Sequence, residues 1–432
     1  MLSKFRLEER GTDLKTELIA GFTTFLTMLY IVPVNGFIMA DAGMPMPAVI
    51  TATALITILA TLFSGIWSDT PVAMSVGMGL NAYFTYGLVL GMKIPWQTAL
   101  GIVFISGAVF VVLSFTKFRV WIMTSIPMEL RRALSAGIGA FIALIGLKQL
   151  GIVVSDKATL VALGDLSRPE TLLGIFGLFM TLVLYRYRIK GAFILSIMIT
   201  SAIGWLYGLG KMPDSIFSAP ASISPIAFQL DIVSALTLSL VPVILTFLIT
   251  DMFDSLGTLT AIGARAGLFQ SETGDDISLQ KTLEADALAT TAGALLGLST
   301  TTSFIESASG VEEGGRSGLT AIFTAIFFIS TLFMLPLFRA IPEAAIYPVL
   351  VVVGILMFAE LGNIDFKNAD ISTQAGIFMT VMLMPLTFSI TNGLSAGFIV
   401  YTFLKIAGGK FEDLNIGIYT ISAISLLVFI LH

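Results

Sequence analysis

AGFTTFLTMLYIVPVNGFIMA, residues 20–40, runs without a single Asp, Glu, Lys, Arg or His, and GLTAIFTAIFFISTLFMLPLF, residues 318–338, does the same. At a rise of about 1.5 Å per residue, a helix of that length crosses a hydrocarbon core of about 30 Å. The rest of the chain has the same character: of its 432 residues, 56% are hydrophobic and 12% charged, and its mean hydropathy is +0.95. A soluble domain carries about 25% charged residues to cover its surface. A β-barrel would alternate apolar and polar positions along each strand, whereas these runs are continuously apolar. The sequence therefore describes an all-α polytopic membrane protein.

Comparable runs lie near 17–40, 47–66, 71–90, 96–116, 130–152, 170–186, 190–209, 232–261, 283–299, 301–314, 318–338, 344–361, 372–390 and 391–408. A further apolar stretch, 415–431, either spans or lies in the interface. Pro71, Gly77 and Gly79 interrupt the third run, and residues 297–315 are short and rich in Gly, Ser and Thr. Open backbone at membrane depth is tolerated only where it faces protein or a cavity, so both runs read as broken helices. Basic residues set the orientation. Lys4, Arg6, Arg10 and Lys15, then Lys117, Arg119, Arg131 and Arg132, then Arg186, Arg188 and Lys190 all fall on one side if fourteen segments alternate. The amino end is expected to be cytoplasmic, and no cleavable signal peptide is expected before the first span. FLTMLYIVPVNGFIMADAG (25–43) lies without gaps on ILTFLITDMFDSLGTLTAI (244–262), setting Asn35 opposite Asp254. Seven segments repeated give two halves of opposite topology, an arrangement that places a substrate site at the midplane beside broken helices.

Few polar residues lie deep in these runs. Asp251 and Asp254 are three apart and share a helix face, Glu306 lies within the second broken segment, and Asp286 lies near the start of the ninth run. A charge at the bilayer centre costs about 3 kcal/mol or more, so such acids face protein or a water-filled cavity. For Asp286 a structural reading competes, because an acid at a helix start also offsets the dipole. Asp251 could merely orient its neighbour. Asn81, in MGLNAYF, and Asn35 are further polar candidates, while Glu312 and Glu313 read as rim residues. Gly77, Gly79 and Gly310 permit close approach of backbone to a helix or to a ligand. Phe304, Phe84 and Tyr83 could stack on a flat ring, with packing as the ordinary alternative. The sequence holds no cysteine, and its one histidine is His432, so a proton relay would have to use carboxylates. Glu306, Asp254 and Asp286 are the candidates for that coupling. No nucleophile, metal cluster or histidine marks an enzyme. Carboxylates accept from N–H groups and Asn81 can donate, and the core runs hold no Arg or Lys for a phosphate or carboxylate. The residues alone point to a polar neutral solute.

At these residues the sequence resembles the second nucleobase–cation symporter family, in its adenine/guanine/hypoxanthine permease branch. The matching pieces are GFTTFLTMLYIVPVN (21–35), MGLNAYF (78–84), DMFDSLGTL (251–259), IESASGVEEGGRSGLTA (305–321) and TFSITNG (387–393), and the similarity runs from end to end. The resemblance implies a uracil-permease-like fold of about fourteen spans as a 7+7 inverted repeat, with broken helices at segments three and ten that form two short antiparallel strands. It implies a core domain from 1–129 and 232–341, and a gate domain from 130–231 and 342–432. It implies a purine base held by Asp254 and Glu306, with Asp251, Asn81 and Phe304 around it, and proton coupling with Na⁺ as the family's other ion. It further implies residence in a bacterial inner membrane, no cofactor, no nucleic acid, and a homodimer through the gate. A uracil or xanthine symporter, an anion transporter of the same fold and a channel are the rival readings.

Overall fold

The computed structural model describes residues 5–116, 125–268 and 277–430; Lys4, Lys117, Arg119 and His432 lie outside the described residues. Among the described residues eight helical stretches are long and apolar enough to cross a membrane: Leu14–Asp41, Met46–Trp67, Trp96–Ser114, Met128–Gln149, Pro169–Arg186, Leu238–Gly263, Glu343–Asn363 and Ile390–Ala407. Shorter apolar helices follow at Ala192–Leu206, Gly318–Phe333, Ile371–Thr387 and Ile416–Ile430. The first stretch is two helices in line, α1 (Leu14–Met28) and α2 (Ile31–Asp41), followed by α3 (Met46–Trp67). Polar surface is scarce on all of them, as lipid requires, so side chains such as Leu14, Phe22 and Leu59 lie exposed on the outside.

The two interrupted runs meet. Strand β1 (Met74–Val76) leads into a short helix, α4 (Met78–Ala82), and then a π-helical stretch, Tyr83–Gly91. Strand β4 (Thr301–Ser303) lies antiparallel to β1, pairing Met74 with Ser303, Ser75 with Thr302 and Val76 with Thr301. The ladder extends one residue at each end: Gly77 N donates to Thr300 O at 2.9 Å, and Phe304 N donates to Ala73 O at 3.0 Å. A two-stranded sheet still has two outer edges, which bare lipid could not satisfy. A threonine on a neighbouring helix covers each. Thr61 Oγ1, on α3, accepts from Met74 N at 3.0 Å and donates to Met74 O at 2.9 Å. Thr290 Oγ1 accepts from Thr301 N at 3.2 Å and donates to Thr301 O at 2.8 Å. One helical turn before each threonine a second polar side chain reaches the strand: Thr57 bonds Ser75 Oγ at 2.6 Å, and Asp286 accepts from Ser303 N at 2.7 Å. Each outer edge is thus covered by a threonine, with a second polar contact one helical turn before it.

Further along the chain come α5 (Trp96–Ser114), α6 (Met128–Gln149), α7 (Pro169–Arg186), α8 (Ala192–Leu206), α9 (Ile232–Ala235) and α10 (Val241–Ala266). They are followed by α11 (Ile277–Leu295), α12 (Ser307–Glu312), α13 (Gly318–Phe328), α14 (Leu335–Arg339), α15 (Glu343–Phe358), α16 (Ile371–Thr387), α17 (Ile390–Ala407) and α18 (Ile416–Ile430). Between α6 and α7 an exposed hairpin, β2 (Val153–Asp156) with β3 (Leu160–Leu163), stands where the sequence reading has only a link. The start of α13 is capped by a fully buried acid: Glu17 accepts from the backbone N–H of Arg316, Ser317 and Thr320 at 3.0, 3.2 and 2.9 Å. Four orphan donors at a helix start need acceptors, and a carboxylate there also meets the positive end of the dipole. Asp69 adds Oδ1 to Gly318 N at 3.0 Å while its Oδ2 takes Arg10 at 2.7 Å. The α3–α13 crossing is a backbone contact, since a Cβ on Gly318 would fall 1.9 Å from Gly65 O.

Candidate functional site

The strand pair brings the acids of two separate runs to one place. Asp251 and Asp254 stand on α10, Asp286 on α11, and Glu306 just past β4, at the start of α12. Asp254 is within electrostatic range of each of the other three. No Lys or Arg among the described residues forms an ion pair with any of them; the ion pairs lie elsewhere.

The four acids differ in what they still have to offer. Asp286 is committed: Oδ1 accepts from Ser303 N at 2.7 Å and Ser303 Oγ at 3.0 Å, and Oδ2 accepts from Ser255 Oγ at 2.6 Å. Its place also corrects the reading of it as a helix-start residue. The helix extends back to Ile277, so Asp286 sits mid-helix, beyond the first turn where the dipole acts. Its binding partners are the strand and Ser255. Asp251 is buried, shares the single Thr290 hydroxyl proton with Thr301 O through Oδ2, 2.9 Å from Thr290 Oγ1, and leaves Oδ1 without a hydrogen bond. Glu306 is half-buried, and Oε1 accepts from the hydroxyl of Tyr30 at 2.6 Å, leaving Oε2 free. Asp254 is half-buried with no hydrogen-bond donor of its own among the described residues. Glu306 and Asp254 are the acids with capacity to bind something from outside.

An open lane along one face of α10 leads from Asp254 to the end of the helix. On α10, Asp254, Thr258 and Ala261 are partly open and Gly257 and Arg265 exposed, all on one helical face by their three- and four-residue spacing. A Cβ on Gly257 would meet nothing within 4 Å. The lane runs toward the carboxyl end of α10, and beside it Ile305 is 45% exposed. Its rim carries the pairs Arg265–Glu312, at 2.8 Å, and Lys190–Glu313, so Glu312 and Glu313 are rim residues as read. The opposite approach is closed. Asp41 Oδ2, at the end of α2, accepts from Tyr86 at 2.6 Å, Gln149 at 2.8 Å and Tyr347 at 3.1 Å, which joins four separate elements. Below that knot Tyr83 bonds Thr391 at 2.7 Å, and Thr391 donates to Thr246 at 2.9 Å.

The remaining candidates fall on both sides of their alternatives. Asn81 and Asn35 are fully buried and paired, Asn81 Nδ2 donating to Asn35 Oδ1 at 2.6 Å. Asn35 Nδ2 donates in turn to Thr53 at 2.7 Å, while Asn81 Oδ1 has no partner. Phe304 is buried with its backbone in the ladder, and Tyr83 and Phe84 are fully buried, Tyr83 stacked on Phe247 at 5.5 Å. The glycines make room for neighbouring chain: a Cβ on Gly79 would meet Ile138 of α6 at 2.6 Å, on Gly77 Thr302 of β4 at 3.0 Å, and on Gly310 Thr24 of α1 at 2.2 Å. Sequence reading missed Tyr30, Ser255, Thr290 and Ser303. Tyr30 and Ser255 stood in quoted motifs, but nothing local marks a tyrosine as the partner of a residue 276 positions away.

The model of the Permease family (Xan_ur_permease) matches residues 15–396. The chain is 40% identical to adenine permease AdeQ of Escherichia coli (strain K12) over 427 residues, covering 99% of this chain and 95% of that one. It is 38% identical to guanine/hypoxanthine permease PbuG of Bacillus subtilis (strain 168) over 445 residues, covering 100% and 99%. Among solved structures, the transmembrane domain of a cyanobacterium bicarbonate transporter, BicA, superposes with a TM-score of 0.67 at 17% identity, over 89% of this chain and 97% of that one. Murine Slc26a9, an anion transporter in the inward-facing state, gives 0.61 at 13% identity, over 92% and 69%. At such identities the likeness is one of fold.

Proposed function

This chain belongs to the permease family, a multi-pass membrane transporter and not an enzyme, and from that premise we propose that it imports purine nucleobases by proton symport. The observation that carries the reading is the pair Asp254 and Glu306. Two partly exposed acids with unspent acceptor capacity stand beside a strand pair, with no cation paired with them to suit an anionic cargo. A purine base is flat, neutral and edged with N–H donors that carboxylates accept. Relatives named as adenine and guanine/hypoxanthine permeases support that cargo. Asn81, with its unspent Oδ1, Asp251 and Phe304 complete the surroundings of the base. Glu306 and Asp254 carry the proton with it, and Asp286 holds β4 in place for them.

Movement follows from how the contacts divide. With a core of 1–129 and 232–341 and a gate of 130–231 and 342–432, the fourteen segments form two inverted halves, and the duplicated threonine wiring supports that repeat. Asp41 and Tyr86 then belong to the core, and Gln149 and Tyr347 to the gate. With the amino end cytoplasmic, the lane from Asp254 opens inward and the Asp41 knot closes the outer side. Import requires the core to slide against the gate, breaking that knot. The setting is a bacterial-type inner membrane, and a dimer would form through the gate.

Competition separates this reading from its nearest rival. In cells lacking their own purine carriers, excess unlabelled adenine, guanine or hypoxanthine is expected to lower uptake of the labelled substrate about tenfold or more, and uracil to leave it unchanged, because unpaired buried polar groups penalise a poorly matched ring. Displacement by uracil alone would favour the uracil symporter.

A further inference from the structure

Tyr30 lies at the junction of α1 and α2, outside every role the sequence suggests for the site. Its side chain is 1% exposed, its hydroxyl donates to Glu306 Oε1 at 2.6 Å, and its ring packs on Phe193 with centroids 4.7 Å apart. Phe193 is in turn 6.0 Å from Tyr185. Among the described residues no other side chain hydrogen-bonds Glu306, and although it occupies the cap position of α12 its carboxylate does not cap that helix. The support beneath this pair is rigid. Gly310 of α12 lies so close to α1 that a Cβ there would come 2.7 Å from Ala20 O. The chain reversal after α7 sits on the same helix, a Cβ on Gly191 falling 3.1 Å from Leu26 O.

We propose that Tyr30 is the positioning residue for Glu306, fixing Oε1 so that Oε2 alone faces an incoming base, and that its ring transmits this geometry to Phe193 on α8. The proposal rests on the purine reading above and adds the residue that orients its acid. A glutamate has several rotatable bonds, and an acceptor that must find its pose on binding loses affinity to that ordering. A charge-assisted hydrogen bond from a buried hydroxyl removes most of that freedom. Phenylalanine at 30 keeps the ring on Phe193 and deletes only the hydroxyl, so the two parts of the role can be tested apart.

The test is a double-substitution cycle on the full-length protein in detergent, read by equilibrium binding of the purine that the wild type accumulates. Tyr30→Phe is expected to weaken binding about tenfold, the scale of one lost hydrogen bond to a charged group, raising KM while leaving the maximal uptake rate within about twofold. In a Glu306→Gln background the same change is expected to cost less than about twofold, because the amide that still takes the Tyr30 hydroxyl no longer presents a carboxylate oxygen to the base. Wild-type affinity in Tyr30→Phe, or losses that multiply in the double variant, would overturn the assignment. A second measurement does not need the ligand: the infrared carboxyl band that Glu306→Gln removes is expected to shift in Tyr30→Phe. An unshifted band overturns the pairing. A shifted band in a protein that binds no purine keeps Tyr30 with Glu306 and discards the purine reading instead.

Discussion

Glu306→Gln is expected to abolish concentrative uptake, with the protein still inserted and folded. The amide keeps the length and shape of the side chain, and its oxygen can still take the Tyr30 hydroxyl bond. Its NH₂ then stands where Oε2 was, so a donor faces the N–H edge of the base where an acceptor is needed. Losing a charge-assisted bond and leaving two donors opposed costs roughly 10- to 100-fold in binding, and the proposed proton carrier is lost with it. Uptake of labelled purine into transport-deficient cells, normalised to protein in the membrane fraction, reads both effects. Normal accumulation by Glu306→Gln would remove Glu306 from its assigned role.

Asp286→Asn should damage the protein by a different route, through the strands rather than the ligand. Both oxygens of Asp286 are acceptors in use, two donors from Ser303 on one and the Ser255 hydroxyl on the other. An asparagine can match one side only, because its nitrogen donates and cannot accept. The amide oxygen can keep Ser303 while its nitrogen donates to Ser255 Oγ, whose hydroxyl then turns to Thr302 Oγ1 at 2.7 Å, so charge-assisted bonds give way to neutral ones at a cost of about 1–3 kcal/mol. Ser303 pairs with Met74, so the loss is passed to the strand pair that sets Glu306 beside Asp254. The expected result is a lowered melting temperature in detergent together with uptake reduced about tenfold or more. Wild-type melting and uptake would show that the carboxylate is not needed to hold β4.

Much of this arrangement can be read before any coordinates. Continuous apolar runs mark the helices, because lipid leaves the backbone no other way to satisfy itself. Pro71, Gly77 and Gly79, and the Gly, Ser and Thr of 297–315, mark the runs that become β1 with α4 and β4 with α12. Acids without basic partners in apolar sequence mark the site, since their cost demands a use. What cannot be read is the pairing. Asp41 gathers Tyr86, Gln149 and Tyr347 from positions 45, 108 and 306 residues away, and each is unremarkable in its own segment. Asp286 looks like a helix-start acid because LQKTLEADAL, residues 279–288, is too polar to announce that the helix has already begun. Glu17, at the start of the first apolar run, carries no mark of its partner, although it is fully buried and caps α13 from 299 residues away. The π-helical turn geometry at Tyr83–Gly91 leaves no mark in a run that is apolar on all sides, where periodicity carries little signal.

The most direct test is accumulation of radiolabelled adenine, guanine, hypoxanthine and uracil in purine-transport-deficient cells expressing this chain, with and without a protonophore. The account predicts that at least one purine accumulates above its external concentration, that the protonophore collapses the gradient, and that uracil does not accumulate. A well-expressed protein that concentrates none of the purines would contradict it.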